Sequence, residues 1–591
     1  MKKLNTIIAI VLFLTATNIE AQPFTDINAG LMGLYVGSAA WGDYDNDGDL
    51  DILCNGYDGL NVYSIIYRND SGNFVNINAG LSAAGYGSAV AWGDYDNDGD
   101  LDILLSGRID NTNRITKIYR NDNGNFIDIN AGLYGLSGSC AAWGDYDNDG
   151  DLDLIVTGWD GATRNTKIYR NDSGIFTNVN SVLVGITLGT AAWGDYDNDM
   201  DLDILITGFD DNLSWNGKVY QNNNGIFTDI NAGLEAVDGS SAAWGDYDSD
   251  GDLDIVLAGR TSFGTYSRIY RNDNGIFINI NANIADVYES SSSWGDFDND
   301  GDLDLLLCGL NNSLHYSNIY RNNNGIFTDI SANLTGVENR NGADWGDYDN
   351  DGDLDILLMG YDGTTYVTKI YRNDNITSNT APSIPVNLTS NQPGNNRIDL
   401  KWNKSTDAQT LQKGLTYNLR ISTTPGGVEI FSPMSDLNTG YRKIPALGNT
   451  DEDTSWTIFN LPEGTYYWSV QAIDNSFASS QFSPEQTFNI TVTSEGNLST
   501  GIIPSEFALK QNYPNPFNPV TNLEFGISDL GFVSLKVYDL IGKEVATLVN
   551  EKLNPGKYKV EFDGSGLPSG IYYYRLNVGE FMDTKRMMLV K

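Results

Sequence analysis

The residues with the clearest chemical potential lie between Trp41 and Asp51, W-G-D-Y-D-N-D-G-D-L-D, a string with close copies at six further places. Counted from Asp43, carboxylates fall at loop positions 1, 3, 5 and 9 (Asp43, Asp45, Asp47 and Asp51), with Gly48 at position 6. This is the ligand spacing of the first part of an EF-hand loop, where hard oxygens at alternate positions turn inward, and it suits calcium. Five aspartates within nine residues repel one another unless a cation screens them. A solvated acidic turn is the plainer alternative, but seven copies at one spacing weigh against it.

The elements that must hold these loops repeat with them. The motif tryptophans are Trp41, Trp92, Trp143, Trp193, Trp244, Trp294 and Trp345, spaced by 50 or 51 residues, a period that means an array or a propeller. Each unit reads as four short strands: the lead into W-G-D, the apolar run after the loop, T-K-I-Y-R-N, and G-x-F-x-x-I after an Asn-Gly or Ser-Gly turn. The fold class is therefore all-β, with four antiparallel strands per blade. The fourth-strand pattern occurs at Phe24, Phe74, Phe126, Phe176, Phe227, Phe277 and Phe327 but not after Tyr371. A closed seven-bladed ring follows if Phe24 to Ile27 pairs with the blade of Trp345, which also hides an edge that would otherwise template aggregation.

These units resemble the FG-GAP and VCBS repeats, whose best-known members form the seven-bladed propeller of integrin α-subunits with calcium in the blade loops. The resemblance covers about Pro23 to Asn375. It implies as further ligands Asp94, Asp96, Asp98 and Asp102; Asp145, Asp147, Asp149 and Asp153; Asp195, Asp197, Asp199 and Asp203; Asp246, Asp248, Asp250 and Asp254; Asp296, Asp298, Asp300 and Asp304; and Asp347, Asp349, Asp351 and Asp355. Up to seven structural Ca2+ ions are expected. The fourth loop departs from the pattern: Met200 replaces the glycine where the turn wants positive φ, at a cost of about 1 kcal/mol, so this site is expected to be the weakest.

The formal charge is -43, and the seven loops, with five aspartates each, hold 35 of the 78 acidic residues. Phosphate recognition needs basic surface, so nucleic acid is excluded as a partner. Met1 to Ala21 has a Lys2-Lys3 start and an apolar run from Ile7 to Leu14, the pattern of a secretory signal peptide over residues 1–21, and no later stretch competes as a transmembrane segment. Cys54, Cys140 and Cys308 are odd in number and scattered over different repeats, which suits buried small hydrophobes better than a disulfide framework.

Downstream of the propeller (22–375) a polar linker (376–384) leads to a second β-domain over 385–490. There I-D-L-K-W ending at Trp402, Y-N-L-R-I-S from Tyr417 and G-T-Y-Y-W-S-V-Q-A-I-D from Gly464 alternate as in a small antiparallel sandwich. Trp402, Tyr466, Trp468 and Val470 are placed in its core. This part resembles fibronectin type III domains, with an insertion around Ser432 to Thr450. A second linker (491–503) precedes a third β-domain (504–591), which opens with Y-P-N-P-F-N-P at Tyr513 to Pro519 and closes with S-G-I-Y-Y-Y-R-L and K-R-M-M-L-V-K. It resembles the C-terminal sorting domain of type IX secretion substrates. That resemblance implies contact with the type IX secretion machinery and a secreted or outer-surface location on a Gram-negative bacterium.

In a four-strand meander the first and third connections share one face of the disc, so the cation loops and Asn-Gly turns lie together. The opposite face carries the variable loops, among them Tyr57 to Tyr63, Arg108 to Arg114, Trp159 to Arg164, Phe209 to Trp215, Arg260 to Tyr266, Leu310 to Tyr316 and Tyr361 to Tyr366. Aromatics with Arg, Asn and Asp between them suit a carbohydrate or protein ligand, with Trp159, Trp215 and Tyr266 as the first candidates; ordinary exposed turns are the alternative. His315 is the one histidine, in a variable loop, and no catalytic constellation is evident. The leading expectation is a secreted or surface-displayed, calcium-stabilised binding or adhesion protein. A polysaccharide lyase or hydrolase using Arg108, Arg114, Arg164 and Arg260 is the runner-up, and a surface-layer component the third.

Overall fold

The computed structural model describes residues 24–375, 377–394, 397–490, 507–528, 531–540, 542–553, 555–564, 567–579 and 581–591. The expected signal peptide (1–21) and the expected linker over 491–503 lie outside the described residues. The described secondary structure is strand throughout.

Seven four-stranded antiparallel sheets make the first body. In blade one the strands run β2 (Ala39–Gly42), β3 (Asp51–Tyr57), β4 (Val62–Asp70) and β5 (Asn73–Asn76) from the axis outward. Blade seven takes three strands from its own repeat, and its outermost strand is β1 (Phe24–Asp26), with Phe24 opposite Asn373 and Asp26 opposite Tyr371. The expected closure is thus present, reinforced by an ion pair between Lys369 and Asp26 at 2.9 Å.

The repeat motif explains how one blade recognises the next. Tyr44 of the first W-G-D-Y stacks on Trp92 of blade two with ring centroids 6.2 Å apart, and Phe126 of blade two tilts against both. The same triad recurs at every junction. At the closing ones Tyr348 stacks on Trp41 (6.3 Å), and Phe24 lies 5.8 Å from Phe297 and 6.1 Å from Trp345. Such pairs contribute about 0.5–1.5 kcal/mol each beyond the area they bury. The glycine of W-G-D makes room for them: a Cβ on Gly42 would sit 2.5 Å from Cδ1 of Trp92, and Gly346 meets Trp41 in the same way. Cys54, Cys140 and Cys308 are buried free thiols within this packing.

Residues 385–490 form two facing three-stranded sheets, Val386–Gly394, Arg397–Asn403 and Ser455–Phe459 against Thr416–Ser422, Gly464–Ile473 and Gln486–Ile490. Trp402, Tyr466, Trp468 and Val470 all lie in the core, as their alternation predicts. The sandwich is seated on the cation-loop face of the propeller. Phe459 donates its amide to the Asn148 carbonyl (3.0 Å), Asp296 donates to the Asn475 carbonyl (3.0 Å), and Asp43 donates to the Lys443 carbonyl (2.8 Å). Lys443 belongs to the segment 432–450, which reaches the first two loops.

The second body is a separate sandwich. Ala508–Leu509, Val520–Ile527 and Gly556–Asp563 face a sheet of Glu544–Leu553, Gly531–Tyr538, Gly570–Val578 and Phe581–Leu589. Phe517, from the proline-rich opening, is buried in its core beside Phe562.

Candidate metal centres and the variable-loop face

Each acidic loop is a pre-shaped turn. In the first, Asp43 accepts the amides of Asp47 and Gly48 (both 3.1 Å), and Asp47 accepts that of Asp49 (3.0 Å). Asp51 opens β3, is fully buried, and accepts the amides of Tyr44 (3.1 Å) and Asn69 (2.8 Å). Oxygens of Asp43, Asp45 and Asp51 lie within 4.8 Å of one another, and the corresponding trios of the second and third loops are equally close. In the fourth and fifth loops the oxygens this close belong to Asp195, Asp197 and Asp199, and to Asp246, Asp248 and Asp250.

The electrostatics are those of a site short of positive charge. Desolvation pushes the Asp51 carboxyl up to about 8, the Asp102 and Asp254 carboxyls up to about 9, and Asp43 up to about 6. Neighbouring carboxylates add to the rise. Most telling is position 3: one buried oxygen of Asp45, Asp96, Asp147, Asp197, Asp248 and Asp298 has no hydrogen-bond partner. A buried acceptor left unmade costs about 1–3 kcal/mol. Six loops carrying the same orphan at one ligand position fit a hard cation coordinated by oxygen.

The fourth loop keeps this shape despite losing its glycine. Met200 adopts φ +75° and donates to Asp195 at 2.7 Å, as the glycines do elsewhere. Its side chain packs against the sandwich core, with Sδ 3.9 Å from Ser455 Oγ. The residue that looks like a defect in the loop is a contact between domains.

Two linkages escaped the sequence reading. The position-7 aspartates, counted there only as charge, join neighbouring loops: Asn46 Nδ2 donates to Asp100 at 2.8 Å, and Asn350 closes the ring onto Asp49 at 3.1 Å. Ser249 interrupts this series in the fifth loop. The asparagine of each of the six Y-R-N strings, and Asn222 of the fourth repeat's Y-Q-N, is buried and clasps the preceding blade; Asn69 donates to the Tyr348 carbonyl (2.9 Å) and the Leu50 carbonyl (3.1 Å). Seven asparagines at one place in the repeat were the available signal.

On the variable-loop face, aromatics from blades six, seven, one and two form a continuous arc. His315 meets Tyr361 edge-on at 5.4 Å, Tyr361 meets Tyr366 at 5.5 Å, and Tyr366 stacks on Tyr35 at 5.6 Å and touches Tyr57 at 6.2 Å. Tyr57 meets Tyr86 at 4.8 Å, and the Arg108 guanidinium lies 4.5 Å over Tyr86. His315 itself is in the strand Leu314–Asn323, opposite Leu310, rather than in a loop. Among the described residues Trp159, Trp215 and Tyr266 make no ring contact with the arc; Trp159 lies under Arg114 (4.4 Å) and Tyr266 under Arg268 (4.5 Å). The remaining arginines are also held, Arg164 over Phe209 and against Asp211, and Arg260 by both oxygens of Asp238. Near the axis, Arg340 pairs with Glu289 at 2.5 Å, and the Tyr35 hydroxyl donates to Glu338 at 3.0 Å.

The FG-GAP-like repeat family matches residues 43–105, 145–206, 195–257, 246–307 and 296–358, and the Secretion system C-terminal sorting domain matches residues 511–591. No curated protein matches the chain significantly. Among solved structures it is similar to the extracellular domain of the putative hybrid two component system BT3049 from B. thetaiotaomicron. That match has 14% identity and TM-score 0.31, with 80% of this chain and 57% of that one covered. It is also similar to PorZ, a bacterial surface component of the type-IX secretion system of Porphyromonas gingivalis (12% identity, TM-score 0.21, 92% and 74% covered). A third similarity is to chicken CNTN1 FN1-FN3 domains (10% identity, TM-score 0.19, 51% and 98% covered). The chain thus spans a little over half of the first of these structures. It carries FG-GAP-like repeats and a type IX secretion C-terminal sorting domain, and is a secreted or outer-cell-surface protein.

Proposed function

We propose that the protein is a calcium-stabilised binding or adhesion protein that presents the variable-loop face of its propeller to a carbohydrate or protein ligand. The boundaries that go with this reading are a propeller over 22–375, a fibronectin type III-like sandwich over 385–490 and a sorting domain over 504–591. The observation that carries it is the occupancy of the two faces. The sandwich covers the cation-loop face, while the opposite face carries the arc from His315 to Tyr86 with Arg108 at its end. Flat aromatic faces with hydrogen-bonding tips are what sugar rings and protein hot spots engage. Arginines stacked on rings or paired with carboxylates suit recognition better than proton abstraction, which favours binding over lyase chemistry.

Calcium in this reading is a structural element held by the seven aspartate sets, from Asp43, Asp45, Asp47 and Asp51 to Asp347, Asp349, Asp351 and Asp355. The orphaned oxygens at position 3 support it. The test is a glycan and protein array probed with the full chain in calcium, followed by Tyr366→Ala and Tyr86→Ala. Loss of the detected ligand in both variants, with unchanged folding, supports the reading. Undiminished binding in both refutes the placement of the ligand on this arc.

A further inference from the structure

The sandwich meets most acidic loops with neutral or basic groups. Lys443 brings a carbonyl to the first loop and its ammonium to the Gly99 carbonyl of the second. Lys413 places its ammonium 2.6 Å from the Asp250 carbonyl of the fifth, and Asn475 and Ser476 serve the sixth. The fourth loop is met instead by three consecutive acids, Asp451, Glu452 and Asp453. Asp451 accepts the Asp195 amide at 3.2 Å, and the Asp453 carboxyl faces those of Asp195 and Asp199.

Carboxylates packed on carboxylates would drive the two domains apart, since buried like charges without compensation are strongly unfavourable. Lys404 offers Asp453 one favourable charge, against Asp451 and Asp199. Two oxygens in this cluster are buried with no partner, Oδ2 of Asp453 and Oε2 of Glu452. Glu452 is only 5% exposed and lies among Asp451, Asp453 and Asp246 of the fifth loop. A buried, unpartnered glutamate inside a cluster of aspartates points to a cation there, not to a solvated patch.

We infer that Asp453, backed by Asp451 and Glu452, gives sandwich oxygens to the cation of the fourth loop, so that one hard divalent ion ties the sandwich to the propeller. The inference rests on the calcium reading of the loops and extends it to a site shared between domains. Met200 fits the same picture: the loop gives up its glycine to plug the sandwich, and the sandwich returns carboxylates. The fourth site is then reinforced from outside the repeat, where the loop sequence alone suggests weakness.

The test uses the full chain, titrated with calcium by calorimetry, together with hydrogen exchange at the Asp195 and Phe459 amides. Asp453→Asn is expected to weaken one ion by at least about tenfold, because ligand charge sets affinity in such sites, and to remove calcium-dependent protection of both amides. Glu452→Gln, which keeps shape and volume, should move both readouts in the same direction by less. Equal ion affinities and equal protection in wild type and Asp453→Asn would overturn the inference. So would an Asp453→Asn chain as protected in chelator as the wild type is in calcium, which would mean that Asp195 and Asp453 share a proton. A wild-type chain that binds no ion refutes the calcium reading itself, which separates the two failures.

Discussion

Replacing Asn121 by alanine tests whether the blades are held by buried amide clasps rather than by aromatic stacking alone. Asn121 donates to the Tyr44 carbonyl of blade one (2.9 Å) and to the Leu101 carbonyl of its own loop (3.1 Å), and it accepts the Gly124 amide (2.6 Å). Its backbone amide also serves Asp102 (2.8 Å), and this bond survives the substitution. Alanine therefore strands two carbonyls and one amide in a fully buried position. Each orphan costs about 1–3 kcal/mol; water entering the vacated space recovers part, which puts the loss at about 3 kcal/mol, the low end of the sum. With an unfolding entropy of about 2.1 cal/mol/K per residue, a cooperative unit of about 350 residues then loses about 4 °C in Tm. Thermal and guanidinium unfolding in saturating calcium measure it, with Asn125→Ala, at an exposed position of the same blade, as control. Should Asn121→Ala fall within 0.5 kcal/mol of that control, the ordinary range for surface changes, the clasp argument is wrong.

Phe24→Ala removes one ring of the seventh aromatic triad and is expected to cost about 3–5 kcal/mol. A chain starting at residue 28 should in addition self-associate in light scattering, because the strand Tyr366–Asn373 loses its partner; a monodisperse chain with unchanged Tm would disprove closure through β1. Chelation should lower Tm, since an ion held at ten times its dissociation constant stabilises by about 1.4 kcal/mol per site, and an identical melt in chelator would remove the metal from the account. Asp474 caps the turn that carries Asn475 and Ser476 onto the sixth loop, and burial pushes its carboxyl up to about 7. The folded state then binds the proton more tightly than the unfolded chain, so this group's contribution is full below about pH 4 and is lost as pH rises toward 7. The difference between the folded and unfolded carboxyl corresponds to about 4 kcal/mol. Asp474→Asn should flatten that fall between pH 4.5 and 7.5 relative to wild type, and parallel curves would refute the assignment.

Much of the fold was legible because its signals are local and repeated. Trp41 and its six counterparts carry the period, Gly48 and the alternate aspartates shape the turn through bonds made within a few residues, and the spare Phe24 pattern pairs with the blade that lacks one. The clasping asparagines are visible as letters of the repeat but not as clasps, because their partners stand in the neighbouring blade, 75 to 77 residues back for six of them and 279 residues on for Asn69 and Tyr348. Trp159, Trp215 and Tyr266 stand out in the sequence for size and place in the loops. The arc that formed instead uses Tyr35 and Tyr86, which come from the segments entering blades one and two, so ring neighbours were decided by blade order around the axis.

The sequence alone determines that seven acidic loops stand on one face of a β-ring, since strand parity and loop spacing leave no other placement. It does not determine what lies over that face. Only the folded chain brings Met200 against the core of the 385–490 sandwich and Asp451 up to Asp195, because docking depends on the shape and charge of two surfaces assembled from residues some 250 positions apart. Periodicity reports on local geometry; the meeting of two finished domains is written in no window of the chain.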